Sequence, residues 1–123
     1  MKPGKTGLGR LLDATGYSWR GFRAAFGNEA AFRQELLLCA VLLPASFWLA
    51  RSPLEWLLLV VPLFILLIVE LLNSAVENAV DRIGDEIHTL SGRAKDMGSA
   101  AVFAALTLIA VCWGAIAWSR YAN

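Results

Sequence analysis

Between residues 97 and 119 the chain runs for 23 positions without a charged side chain, and this feature restricts its possible folds more than any other. A hydrocarbon layer about 30 Å thick takes about 20 residues of helix to cross. Inside lipid, only a helix or a closed barrel satisfies its own backbone hydrogen bonds. The run therefore reads as a transmembrane helix. A second run, 36–50, has 15 uncharged residues. It reaches spanning length if its helix starts earlier, within AAFRQE, with Arg33 and Glu35 at headgroup depth; Pro44 lies inside it as a kink position. A third run, 56–69, is uncharged and then meets Glu70, yet its helical pattern continues through LLNSAVENAVDRI to Gly84. It is expected to be one long helix whose second half leaves the membrane.

Composition agrees with this reading. Hydrophobic residues make up 58% and charged ones 17%, against roughly 45–50% and about 25% in soluble domains. Disorder is excluded and a cytosolic globule is not supported. At 123 residues there is material for one unit and not two. The expected fold class is all-α and integral to the membrane. Amphipathic surface helices over 6–29 precede spans at 30–50, 54–84 and 96–120, with a loop at 85–95 between the last two. Small residues at Ala101/Ala105, Ala100/Ala104 and Ala110/Gly114 let helix backbones approach closely and favour association with further copies.

In the surface segment, Leu8, Leu11 and Leu12, then Trp19, Phe22 and Phe26, recur at helical spacing between Arg10, Asp13, Arg20 and Arg23. Short amphipathic helices broken near Gly16 and lying on the leaflet fit this pattern. Packing of the same aromatics on neighbouring helices fits it too. Basic residues gather before the first span and at Arg82, Arg93 and Lys95; the first loop has only Arg51 and the tail only Arg120. The N-terminus and the 82–96 loop are therefore expected to be cytoplasmic and the C-terminus on the far side. No apolar stretch of signal-peptide type precedes these spans, so they are expected to be retained.

The net charge of +1 leaves no electrostatic footprint for nucleic acid. Cys39 and Cys112 sit in apolar runs without CxxC or Cys/His spacing and read as small buried hydrophobes. Gly4-Lys5-Thr6 imitates only the end of a phosphate-binding loop, and no GxGxxG occurs. His88 has no second histidine at metal spacing and reads as a solvated loop residue.

The polar residues Glu70, Asn73, Glu77 and Asp81 stand at about 0°, −60°, −20° and +20° around a helix, so they form one stripe descending out of the membrane. Glu29 and Glu35 lie at similar depth beside the first span, and Arg93, Lys95 and Asp96 follow in the loop. Carboxylates at a membrane border are expensive and point to function. Clustered acids suit a hard cation such as Mg²⁺, bases suit phosphate, and the two together suit phosphoryl transfer. From spacing alone two other readings stay open. One is a structural ion-pair network, with Glu77 near Asp81 and Arg82 and with Asp85 and Glu86 near Arg93. The other is ion translocation by a small proton-coupled transporter.

Two stretches, GYSWRGFRAAFGNEAAFRQE from Gly16 and ELLNSAVENAVDRIGDEIHTLSGRAKDMGSAAV from Glu70, together 53 of the 123 residues, closely resemble the bacterial integral-membrane diacylglycerol kinase family. The resemblance implies a homotrimer with active sites shared between subunits in a bacterial inner membrane. It also implies ATP as co-substrate, Mg²⁺ as cofactor, and membrane diacylglycerol entering sideways to become phosphatidic acid. By matching position it implies Glu70 as general base with Asn73 beside it, and Glu29 and Glu77 as metal ligands that also bring in ATP. It places ATP contacts at Arg10, Tyr17, Glu86, Ile87, His88, Lys95 and Asp96. Lipid contacts would come from Arg10, Arg23, Ala24, Ala25, Phe26, Ala31, Phe32, Arg33, Gln34, Glu35, Trp48, Trp56, Glu70, Ser99, Trp113 and Trp118. Relatives that phosphorylate undecaprenol by the same chemistry remain an alternative for the acceptor.

Overall fold

The computed structural model describes residues 6–83 and 89–122, and every described element is helical. Helix α1 covers Leu8–Asn28, α2 Ala30–Leu49, α3 Pro53–Ile83 and α4 Thr89–Tyr121. The last three are each long and apolar enough to cross a membrane, which makes the chain an all-α integral membrane protein with three spanning helices.

Helix α1 starts where Gly7 takes φ 60°, a conformation that favours glycine. It then runs without interruption through Gly16, so the expected break near that residue does not occur. Glycine in a helix interior forfeits about 1 kcal/mol relative to alanine, which neighbours with helical preference can outweigh. Ala25 is the buried residue of α1. Leu8, Leu11, Leu12, Trp19 and Phe26 all remain exposed, and an apolar helix face left uncovered by its own chain suits a lipid surface. Packing on neighbouring helices within the chain does not account for these side chains.

A single extended residue, Glu29 at φ −117° and ψ 105°, separates α1 from α2. Its backbone N–H donates to Ala25 O at 2.9 Å, closing the first helix, and Arg33 Nη1 donates to Phe26 O at 2.7 Å across the corner. Helix α3 begins on Pro53, whose missing N–H costs nothing at the first helical position. Pro44 and Pro62 sit inside α2 and α3, where other helices can supply donors to backbone carbonyls left short. Around Pro62, Trp113 Nε1 donates to Leu59 O at 3.0 Å and the Cys39 thiol lies 3.8 Å from Leu63 O.

Helix α3 is central and packs most extensively on α4, then on α2. Cys39, Leu63, Leu66, Ala105 and Ile109 form one core cluster, and Leu49, Leu59 and Ile116 a second. Cys39 is buried and Cys112 partly so, and both are free. Of the small-residue pairs on α4, Ala105 is used inside the chain, whereas Ala100, Ala101, Ala104, Ala110 and Gly114 face outward. Helix α4 starts at Thr89, so the segment expected as loop over 85–95 is already helical in its second part. Thr-Leu-Ser-Gly-Arg-Ala-Lys-Asp contains no proline, and only Gly92 is a weak helix former.

Candidate active site

The three spans alternate in direction, so the start of α2, the end of α3 and the start of α4 meet at one end of the bundle. There a cleft of about 390 Å³ is lined by Glu29, Glu35, Glu70, Asn73, Glu77 and Ser99, with Val102, Phe103 and Leu106 as an apolar wall. Ala31 also borders it. Four carboxylates thus converge from the α1–α2 corner, α2 and α3, although 35 residues of sequence separate Glu35 from Glu70.

Glu70 is 3% exposed. Its Oε2 accepts a hydrogen bond from Ser74 Oγ, one turn further along, at 3.4 Å. Glu35 borders the same cleft as Glu70, and Glu35 Oε2 is buried with no partner among the described residues. Asn73 Nδ2 donates to Glu77 Oε1 at 3.2 Å. Because Glu77 can only accept, the amide nitrogen must face it, and Asn73 Oδ1 is then turned toward α4, buried and without a partner among the described residues. On the other side, Asn78 Nδ2 donates to Glu29 Oε1 at 3.3 Å and to Ser74 O at 2.9 Å. Asn78 therefore ties the α1–α2 corner to α3.

Among the described residues none of Glu29, Glu35, Glu70 and Glu77 forms an ion pair. Lys95, one of the cations at this end, pairs instead with Asp81, Nζ to Oδ1 at 2.7 Å. The Asp81 carboxylate pushes the Lys95 ammonium above its ordinary value of 10.5, first by the hydrogen bond and then by charge, with Glu77 adding to it. Lys95 precedes the uncharged run and stands outside the membrane-spanning part of α4. Of the ion-pair network expected from spacing, Asp81 pairs with Lys95 and Glu77 forms no ion pair among the described residues; the pairs expected of Asp85 and Glu86 with Arg93 lie outside the described residues.

Two carboxylates of the cleft have the chemistry to hold a hard cation such as Mg²⁺. Glu29 and Glu77 line the same cleft, and each has one oxygen engaged by an asparagine and the other left over. Among the described residues no three His, Cys, Asp or Glu side chains form a metal cage. A hard cation bound by two carboxylates would therefore complete its shell with water and substrate phosphate, which is the usual arrangement for Mg²⁺.

A second cleft, about 580 Å³, lies between α1 and α3 and shares Glu29 with the first. Ala24, Ala25, Phe22, Ser74 and Asn78 are on its walls. Phe32 is 3% exposed and supports α2 from inside, whereas Arg23, Phe26, Arg33 and Gln34 are exposed near the corner. Arg10 and Tyr17 are exposed on α1 and border neither cleft; Arg20 lies 4.8 Å above the Tyr17 ring. Asp96 is exposed beside Lys95. Glu86, Ile87 and His88 lie outside the described residues.

The tryptophans expected at the lipid belong to the opposite half. Trp48 lies under Arg120, 5.4 Å from its guanidinium, and beside Tyr121. Trp56 stands 5.4 Å from Phe47, Trp118 is exposed, and Trp113 bonds to α3. Arg120 donates to Leu49 O at 3.2 Å and Arg51 to Ser119 Oγ at 3.0 Å. The structure therefore brings together the acids, Asn73 and Ser99, and sets the tryptophans apart from them. Asn78 and Gly98 join the site without any signal in their spacing, since each acts across a contact between elements, whereas Ser74 stands four residues from Glu70 on the same helix.

Comparison with known proteins shows which family the chain resembles. The prokaryotic diacylglycerol kinase family pattern matches residues 16–117. The chain is 58% identical over 113 residues to the diacylglycerol kinase of Pseudomonas aeruginosa, covering 92% of each chain. It is 50% identical over 111 residues to that of Haemophilus influenzae, covering 90% of this chain and 94% of the relative. With the Escherichia coli K12 enzyme it shares 47% over 121 residues, covering 98% and 99%.

Proposed function

The chain belongs to the prokaryotic diacylglycerol kinase family, and from that premise we propose that it transfers the γ-phosphoryl group of ATP to the hydroxyl of membrane diacylglycerol, yielding phosphatidic acid and ADP. The observation that carries this reading is the cleft in which Glu29, Glu35, Glu70 and Glu77 meet with no basic partner among the described residues. Membership in a kinase family leaves the transporter alternative without support. That alternative also calls for acids near mid-membrane, whereas these gather at one end of the bundle.

Diacylglycerol carries a small hydroxyl head and cannot leave the bilayer. A kinase acting on it needs its base at the hydrocarbon boundary and its polyphosphate site just outside. Glu70 and Glu77, seven residues apart on α3, differ by about 10.5 Å along the axis, a separation that suits those two tasks. Glu70 takes the proton of the lipid hydroxyl as the oxygen attacks the γ-phosphorus and the bond to the β-phosphate oxygen breaks. Ser74 fixes one Glu70 oxygen, and Asn73 holds Glu77. Glu29 and Glu77 would hold Mg²⁺, which would supply positive charge against the polyphosphate of the nucleotide. Lys95, beside Asp81, supplies a cation for the nucleotide. The cleft between α1 and α3 is the proposed approach for the lipid, consistent with Ala24 and Ala25 on its wall.

The basic residues favour a cytoplasmic position for this end: Arg10, Arg20, Arg23, Arg33, Arg82, Arg93 and Lys95 lie on its side, and Arg51 and Arg120 on the other. The outward-facing alanines and Gly114 of α4 support assembly into a homotrimer with shared sites, in a bacterial inner membrane. The test is phosphate transfer by the purified protein in mixed micelles, offered Mg·ATP with diacylglycerol and, in parallel, undecaprenol. Phosphatidic acid as the preferred product supports the proposal; preferential phosphorylation of undecaprenol would replace the acceptor, and no transfer to either would remove it.

A further inference from the structure

Helices α3 and α4 pack together, and Asn73 of α3 meets Gly98 of α4. A Cβ built on Gly98 would collide with the Oδ1 of Asn73 and crowd its Cγ. Gly98 has no positive φ and lies well inside α4, so glycine is not needed there for backbone conformation. The three atoms nearest to that added carbon all belong to the Asn73 side chain, the third of them Cβ at 3.8 Å, so no atom of another residue across the helix contact comes closer than that. The space is reserved for one side chain. That side chain is held from its other end, since Asn73 Nδ2 donates to Glu77 Oε1, and its Oδ1 is buried against α4 with no partner among the described residues.

We propose that Gly98 is a positioning residue for the reaction: by lacking a side chain it lets Asn73 lie flat against α4 with its amide turned to Glu77, and so fixes the carboxylate proposed to receive Mg·ATP. The inference rests on reading the cleft as a kinase site. An alanine at 98 meets only the far end of a movable side chain. The helices therefore keep their crossing, and Asn73 swings away instead. Asparagine has two side-chain torsions and few helix-compatible rotamers, so a swing that clears the new methyl breaks the bond to Glu77. The damage falls on the site and not on the fold, because alanine is otherwise the better helix former.

The experiment is a double-mutant cycle on the full-length protein in mixed micelles: wild type, Gly98→Ala, Asn73→Ala, and both together. It is read as Mg·ATP binding and as turnover with diacylglycerol. Gly98→Ala is expected to weaken Mg·ATP binding at least fivefold and to lower turnover at least tenfold, with its melting temperature unchanged or raised. With Asn73→Ala already present, the same substitution should change either quantity less than twofold, because nothing remains for the methyl to displace. Binding carries the cycle if Asn73→Ala leaves turnover too slow to follow. Equal losses in both backgrounds, or wild-type behaviour of Gly98→Ala, would overturn the proposal. Should Gly98→Ala fail to fold, recovery of folding in the double variant supports it and continued failure refutes it. A wild-type protein that transfers no phosphate would instead refute the kinase reading of the cleft.

Discussion

Replacing Glu70 by glutamine tests the proposed chemistry with little disturbance of the fold. Glutamine matches glutamate in shape, and its amide oxygen can still accept from Ser74 Oγ, which now lies 3.4 Å from Glu70 Oε2. Its amide nitrogen adds a donor in the cleft that Glu35 also borders, and one carboxylate fewer is held there. The melting temperature should therefore hold or rise. What disappears is the group that accepts the lipid proton. A positioned general base contributes about 10²- to 10⁴-fold, equivalent to about 2.7–5.4 kcal/mol of barrier. Because Glu77, one end of the proposed metal site, is two turns away, Mg·ATP affinity should change less than about threefold. Steady-state transfer of labelled phosphate to diacylglycerol in mixed micelles, paired with equilibrium nucleotide binding, separates the two effects. Turnover within threefold of wild type, or a loss matched by an equal loss of nucleotide binding, would refute the role given to Glu70.

Glu77→Ala should do the converse, weakening Mg·ATP binding by roughly 10- to 100-fold, the range for groups that hold or orient a metal, as read by titration at fixed lipid. Lys95→Met should lower kcat/KM for ATP without moving the melting temperature, because Lys95 and Asp81 are solvent-accessible (45% and 65%) and exposed pairs add little stability. The Lys95 ammonium is raised above 10.5, so its charge is complete below that value and lost only as pH climbs through the raised one. A pH profile of kcat/KM should accordingly show no limb removed by Lys95→Met across neutral and mildly alkaline pH. Trp113→Phe removes the bond to Leu59 O and should cost about 0.5–1.5 kcal/mol in reversible unfolding, with turnover near wild type; a large kinetic loss at unchanged stability would place Trp113 in the site after all.

The spans were legible because the bilayer imposes one simple rule, a length of uncharged helix, and residues 97–119 obey it without exception. The α3 stripe was legible for a similar reason, since helical periodicity alone puts Glu70, Asn73 and Glu77 on one face. Gly16 misled because a propensity deficit is small beside the preference of its neighbours, and α4 begins at Thr89 because no residue after it stops a helix. Periodicity says nothing about contacts between helices. The cleft that Glu35 and Glu70 share, the Asn78 link to Glu29 and the space at Gly98 all depend on how α3 lies against α2, α4 and the corner at Glu29. The tryptophans are a separate matter: position matching assigned them to the lipid, and the bundle holds them at the end away from the acids.

The most direct test of the central claim is the product formed by purified wild-type protein given Mg·ATP and equal amounts of diacylglycerol and undecaprenol in mixed micelles, with Glu70→Gln as control. The account predicts phosphatidic acid as the main product and its near disappearance in the variant. Transfer that persists in Glu70→Gln at the wild-type rate, or no transfer by the wild-type protein, would contradict it.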